Sequence, residues 1–193
     1  MQERVRIRQV DTLAENWNPL RRYHFDYARR DGTVQGQLRE VYHQRDGAAV
    51  LPLDPRRGTV LLTRQFRLPA HLRGGPDMLV EVPAGVVEEG EDPALAATRE
   101  AEQETGYRLR ELRHAMTLFM SPGASAERLH LYLAAYDPAD RPGAGGGLRA
   151  EGEEIETVEL PLDEAWRMVL DGRIADAKTV LLIQHARLAP PAG

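Results

Sequence analysis

The sequence predicts an α/β fold with a small antiparallel β subdomain at its N-terminus, and three observations carry that prediction. Residues 1–45 alternate apolar and polar side chains with the period of half-exposed strands. From Gly47 the chain changes to near-continuous apolar runs, the mark of buried strands. A capped helix is then framed by Asp92 and Gly106. The boundary is placed between residues 1–45 and residues 46–193, and a chain of 193 residues can bury a sizeable core.

In the N-terminal part, Val5, Ile7 and Val10 stand among arginines and glutamine, and Tyr23, Phe25 and Tyr27 repeat a period of two. Asp31-Gly32 marks a turn, and Leu38 to Tyr42 supplies the returning strand. Trp17 lies outside these strands, in a polar loop ended by Pro19. A tryptophan there either anchors local packing or stacks on a nucleotide base.

Ala48 to Leu53 and Thr59 to Phe66 read as buried strands across the Asp54-Pro55 turn. Arg64-Gln65-Phe66-Arg67 closes the second of them. Its arginines are either surface charge or a fork for diphosphate oxygens. His71 to Asp77 is a loop, and Met78 to Val82 is a short strand delivering Pro83-Ala84-Gly85. The helix runs from Pro93 to Thr105, with Asp92 as N-cap, proline at the first position and Gly106 as the stop. Leu95 and Ala101 are expected near one face, and Glu100, Gln103 and Glu104 on another.

Leu109 to Phe119 and Arg128 to Tyr136 are strands around Ser121-Pro122-Gly123-Ala124. Pro138 to Glu154 is rich in glycine and ends in acids, so it is expected to form no packed element and to be either a mobile linker or a catalytic loop. Ile155 to Leu160 resumes a strand, Asp163 to Leu170 and Ala175 to Leu188 have helical spacing, and the tail Ala189-Pro190-Pro191 is expected to fray. There is no internal repeat.

Composition excludes several chemistries. A formal charge of −5 argues against a generic nucleic-acid binder, though it leaves room for small phosphorylated ligands held by local arginines. With no cysteine, disulfides, cysteine nucleophiles and zinc–thiolate sites are excluded. The first ten residues lack the apolar core of a signal peptide, and no run approaches the ~18 apolar residues of a membrane span. A cytoplasmic protein is therefore expected. Ser121 and Ser125 lie in no nucleophile elbow, the six histidines form no HExxH pair, and no phosphate-binding P-loop is present.

What remains is a carboxylate-bound metal acting on a charged substrate. Glu100 and Glu104, one turn apart, repel one another. Either Arg99 steadies a solvated face, or a divalent cation compensates them. Hard oxygen ligands favour Mg²⁺, with Mn²⁺ as the alternative. Glu151 and Glu153 are the carboxylates available to position or deprotonate a water.

Gly85, five residues, Glu91, seven residues and then Arg99-Glu100-Ala101-Glu102-Gln103-Glu104-Thr105-Gly106-Tyr107 resembles the Nudix box. One position departs, Gln103 standing where that family has Glu. The outer motifs Arg39-Glu40-Val41-Tyr42, Arg64 to Arg67, Met120-Ser121-Pro122-Gly123, Ala144 to Gly147 leading to Glu151-Gly152-Glu153-Glu154-Ile155, and Lys178-Thr179-Val180-Leu181-Leu182 extend the likeness. They are similar to the Nudix hydrolases that include ADP-ribose pyrophosphatases and NudK-type GDP-mannose pyrophosphatases.

The resemblance implies an α/β/α Nudix sandwich with a mixed sheet, in which the N-terminal subdomain helps form a homodimer and reaches the partner's site. It assigns the Ala84 carbonyl, Glu100, Glu104 and Glu153 to metal, and Glu151 or Glu153 to the base. Arg67 goes to the diphosphate, Trp17 and Arg39 to the nucleoside side, and Gly85, Glu91, Arg99 and Gly106 to the shape of the box. Glu81 is assigned to substrate or to a buried salt bridge. The implied activity is Mg²⁺-dependent cleavage of a nucleoside diphosphate sugar of the GDP-mannose or ADP-ribose type, with no nucleic acid or membrane as partner. Gln103 keeps a second reading open, a non-catalytic module that senses a nucleotide sugar.

Overall fold

The computed structural model describes residues 4–188, so the tail Ala189-Pro190-Pro191 lies outside the described residues. The strands are β1 (Val5–Glu15), β2 (Pro19–Ala28), β3 (Val34–Tyr42), β4 (Gly47–Asp54), β5 (Thr59–Gln65), β6 (Leu79–Glu81), β7 (Ala84–Val86), β8 (Leu109–Phe119), β9 (Arg128–Tyr136) and β10 (Glu156–Pro161). The helices are α1 (Leu68–His71), α2 (Pro93–Thr105), α3 (Leu162–Leu170) and α4 (Ala177–Leu188). Two compact units result. One holds the described residues up to Asp46 together with Phe119–Arg128, and the other holds Gly47–Leu118 and the described residues from Leu129 onward.

In the first unit β1, β2 and β3 form an antiparallel sheet in sequence order. The spacing of Val5, Ile7 and Val10 is not a strict period of two, and a β-bulge between Ile7 and Gln9 supplies the missing step. All three then oppose Tyr27, Phe25 and Tyr23, which builds one apolar face from cross-strand pairs. Arg39 opposes Tyr23 on that same face. The Phe119–Arg128 segment joins this unit through Tyr42, whose N–H donates to the Ala124 carbonyl at 2.8 Å and whose carbonyl accepts from the Ala126 N–H at 3.1 Å.

The second unit is a seven-stranded mixed sheet with the path β10-β5-β4-β9-β8; β6 pairs with β5 and β7 with β4. Strand β4 runs parallel to β9, and every residue of β4 is buried, which explains its unbroken apolar run. Ala48 and Val50 face α2, packing with Ala96, Ala97, Ala101 and Tyr132. Ala49 and Leu51 alternate to the opposite face and are equally buried. Helices α3 and α4, outside the α2 cluster, contact β4, β5 and β10 and bury Ala165, Leu182 and Ile183. The Val82 N–H donates to Thr179 Oγ1 at 2.8 Å and ties α4 to the end of β6.

Helix α2 has the predicted bounds. The Ala94 N–H donates to Asp92 at 2.9 Å, and Gly106 ends the helix in the left-handed region at φ 79°. Its orientation corrects the sequence expectation. Leu95 is 65% exposed, and the buried stripe is Ala97, Ala101, Glu104 and Thr105, the i, i+4, i+7, i+8 repeat of one helical face. Glu104 therefore shares the core-facing stripe with the alanines.

The glycine-rich loop is also packed, against expectation. Its amides reach the C-terminal end of α2, where the last carbonyls have no helical partner. The Gly146 N–H donates to the Glu104 carbonyl at 2.8 Å, Gly147 to Gln103 at 3.2 Å, and Gly143 to Gly106 at 3.2 Å. Close approach requires glycine at Gly145 and Gly147, while Gly146 takes a positive φ of 101°. A Cβ on Gly145, which has φ 71°, would sit 2.6 Å from the Thr105 carbonyl carbon.

Gly145→Ala is accordingly expected to destabilise the protein by about 1–3 kcal/mol. Chemical denaturation checks this, and a change below about 0.3 kcal/mol would contradict the docked loop.

Candidate active site

The site is built where β7 crosses beneath α2. Gly85 lies directly under Glu100, since a Cβ added there would come within 2.0 Å of the Glu100 carboxyl carbon. Arg99 holds that carboxylate from the other side, with Nη1 donating to Glu100 Oε1 at 2.7 Å. The same guanidinium forks onto Glu91 at 3.0 and 3.1 Å and reaches the Val86 carbonyl at 3.2 Å. Glu91 in turn accepts the Glu88 N–H at 2.9 Å, so Gly85, Glu91 and Arg99 form one connected frame around Glu100. Hydrogen bonding to Arg99 holds the Glu91 carboxyl below its ordinary range.

Glu104 is 1% exposed, which rules out the solvated-face reading for this carboxylate. The Ala84 backbone lies near enough to it to oppose the rise in its pKa, and its Oε2 has no hydrogen-bond partner among the described residues. Burial pushes its pKa up to about 8, with the charges of Glu153 and Glu100 acting in the same direction and Arg67 opposing them. Glu100 is also raised, by burial first and in part by Glu153 and Glu151, against the pull of Arg99. Glu153 Oε2 accepts the Leu148 N–H at 2.8 Å, and Glu151 sits in a short 3-10 turn, Arg149–Glu151. The structure thus places Ala84, Glu100 and Glu104 side by side and brings the charge of Glu153 within reach of both carboxylates and that of Glu151 within reach of Glu100.

A second ionic group adjoins the first. Arg67 Nε donates to Glu81 Oε2 at 2.7 Å, and Lys178 Nζ bridges Glu81 and Asp176. Glu81 is buried in this salt bridge, one of the two readings the sequence left open. Lys178 and Asp176 drew no functional role from the sequence. The available signal was the capping aspartate, since Asp176 accepts the Thr179 N–H at 3.0 Å at the start of α4 and leaves its other oxygen to Lys178. Arg64 is paired instead with Glu156 at the sheet edge, at 2.6 Å.

Trp17 and Arg39 belong to the first unit. Trp17 is 84% exposed on the β1–β2 turn, so it anchors no packing there, and Arg39 Nη1 donates to the Leu38 carbonyl at 2.7 Å. A depression of about 190 Å³ lined by Leu53, Pro55, Glu111 and Arg113 lies at the other end of β4 from Ala49, the residue opposite Ala84. It holds one carboxylate beside one guanidinium, a poorer match to cation-assisted chemistry than the α2 cluster.

Residues 43–183 match the family described as NUDIX domain, and residues 4–42 match the GDP-mannose pyrophosphatase NudK N-terminal domain. The chain belongs to the Nudix hydrolase family. Its relatives include a GDP-mannose pyrophosphatase of Pectobacterium atrosepticum, 42% identical over 96% of this chain and 95% of that one. Proteins of the same name from Cronobacter sakazakii and Klebsiella pneumoniae are 45% and 42% identical, covering 91% and 90% of this chain and 91% and 86% of theirs. The Nudix box is thus the frame just described, with β7, Arg99 and Glu91 around the carboxylates of α2. Gln103 contributes its backbone carbonyl to the docked loop.

The donor set fits a hard divalent cation. Among the described residues no three His, Asp or Glu side chains converge into a finished cage, yet the buried Oε2 of Glu104 lacks the partner that such an atom requires. Replacing that carboxylate removes a buried group that resists ionisation. Glu104→Gln is therefore expected to stabilise the metal-free protein near neutral pH by about 1–2 kcal/mol, a rise of several degrees in melting temperature. Destabilisation by Glu104→Gln would show that the carboxylate serves structure instead.

Proposed function

We propose that this Nudix hydrolase is a divalent-cation-dependent pyrophosphohydrolase that cleaves a nucleoside diphosphate sugar into a nucleoside monophosphate and a sugar phosphate. The observation that carries the reading is the buried Glu104 carboxylate, one oxygen unpartnered, crowded by the charges of Glu100 and Glu153. Such a group is stable when neutral or when a cation lies among the carboxylates. Nudix hydrolases generally use divalent ions such as Mg²⁺, and the all-oxygen donor set suits Mg²⁺ or Mn²⁺. GDP-mannose is the first substrate to test because the relatives are named for it, and ADP-ribose is the second.

On this reading the Ala84 carbonyl, Glu100, Glu104 and Glu153 hold the cation. When bound, it supplies charge neutralisation for the diphosphate and lowers the pKa of a bound water. Glu151 or Glu153 takes the proton of the attacking water. The water oxygen bonds to one phosphorus, the bond from that phosphorus to the bridging oxygen breaks, and the departing phosphate keeps the bridging oxygen. Arg67 binds diphosphate oxygens, held in place by Glu81, which is itself fixed by Lys178. Since Gln103 adds no charge, affinity for the cation rests on Glu100, Glu104 and the acidic loop.

The N-terminal unit, residues 1–45, is assigned to homodimerisation. Support comes from the exposed apolar side chains Val5, Ile7 and Val10 on the face that also carries Arg39. Docked on a second copy, that face would carry Arg39 toward the partner's nucleoside, with Trp17 available to stack on a base.

Incubation with a panel of nucleotide sugars and Mg²⁺ in oxygen-labelled water, read by phosphorus NMR, tests the activity. Nucleoside monophosphate and sugar phosphate are the expected products. Release of intact nucleoside diphosphate and free sugar would contradict it. Glu100→Gln is expected to lower kcat by about a hundredfold or more with the fold intact, and wild-type turnover in that variant would sink the assignment.

A further inference from the structure

The acidic loop is pinned before its glycines as well as along them. The Asp140 carboxylate lies 3.7 Å from Arg108 and 2.5 Å from Arg110, and its carbonyl accepts the Arg108 N–H at 3.1 Å. One residue on, the Arg141 guanidinium stands over the Tyr107 ring at 4.9 Å and donates to the Ala144 carbonyl at 3.0 Å. Tyr107 is held in turn, edge-on to Tyr136 at 5.5 Å, with its N–H bonded to Thr105 Oγ1 at 3.3 Å. The glycine strap follows, donating to Gly106, Glu104 and Gln103 at the end of α2. Beyond it come Glu151 and Glu153, whose charges are felt at Glu100, and Glu153 also at Glu104.

Holding these carboxylates together works against their mutual repulsion, so without a cation the loop closes only as firmly as its anchors allow. The strap supplies backbone bonds, and Arg141 joins the strap to a fixed ring. The geometry points to Arg141 as a positioning residue: by clamping the strap onto Tyr107 at the end of α2, it sets how close Glu151 and Glu153 come to Glu100 and Glu104, and so how strongly the cluster takes up a divalent cation. This rests on the reading of the carboxylates as a cation site. Arg141 acts through the fraction of molecules whose loop is closed, and apparent affinity scales with that fraction. An exposed cation–π contact changes such a fraction by about two- to fivefold.

The test is Mn²⁺ titration of metal-free protein followed by electron paramagnetic resonance, alongside hydrogen exchange of the Gly143, Gly146 and Gly147 amides in chelator. Arg141→Ala is expected to speed exchange of these amides and to weaken Mn²⁺ binding about two- to fivefold. The cation concentration for half-maximal turnover should move the same way, with KM for the nucleotide sugar unchanged. Arg141→Lys, which keeps a cation over the ring, should restore most of the affinity. Asp140→Asn, which loosens the same end through a different contact, should move both readouts as Arg141→Ala does. Wild-type Mn²⁺ affinity in Arg141→Ala, with or without faster exchange, overturns the clamp, and Arg141→Lys behaving as Arg141→Ala overturns the role of the charge over the ring. If the wild-type protein binds no Mn²⁺, the cation-site reading itself fails, an outcome distinct from loss of the clamp alone.

Discussion

The carboxylate of Glu104 sits in the stripe of α2 that also carries Ala97 and Ala101, where an ionised group loses most of its hydration. Much of the surrounding structure answers that one constraint. Strand β7 passes beneath the helix, bringing the Ala84 backbone near Glu104, while Gly85 leaves room for Glu100 beside it. Arg99 is drawn to Glu91 and Glu100 and so leaves Glu104 to burial, with its Oε2 unpartnered. The frame thereby holds one carboxylate by ion pairing and leaves the other open to a ligand.

The glycine loop meets the same helix from its other end. A helix leaves its last carbonyls without partners, and a strap of glycines can lay its amides against them because no Cβ intervenes. One set of hydrogen bonds thus caps α2 and carries Glu153 toward Glu104. Capping and assembly of the acidic cluster are therefore coupled: a change at Gly145 reaches the carboxylates through the backbone, and one at Gly147 meets Glu153 directly. Gln103 takes part through its carbonyl, a contact that does not depend on its side chain.

The Arg67–Glu81–Lys178–Asp176 network shows how sheet and helix are brought into one ionic group. Glu81 is buried on β6, and two cations from separate elements compensate it, Arg67 at the end of β5 and Lys178 on the first turn of α4. Arg67 remains partly exposed and is felt at Glu104, so the guanidinium is shared between the buried anion behind it and the carboxylates in front. A rigid arginine beside an acidic cluster suits a ligand carrying its own negative charge.

Local signals decided much of the fold. Asp92-Pro93 and Gly106 bounded α2 because caps are set by neighbouring residues, and the apolar runs of β4 and β5 marked buried strands because burial on both faces leaves no polar alternation. The spacing of Gly85, Glu91, Arg99, Glu100 and Glu104 identified the family for the same reason, each being fixed relative to one turn and one helix. Tertiary packing decided the rest. Which side of α2 faces the sheet put Leu95 in solvent and Glu104 in the core, a choice that spacing within the helix leaves degenerate. The glycine loop looked unpacked because its partners are backbone carbonyls of a distant helix, and backbone groups leave no trace in side-chain composition. Lys178 joined Glu81 across ninety-seven positions of chain, a contact that exists only once the sheet is closed by α4, and Asp176 joined the group through Lys178. The sequence by itself therefore determined the chemistry of the donors and the local turns that hold them, and only the tertiary structure decided which carboxylate lost its water.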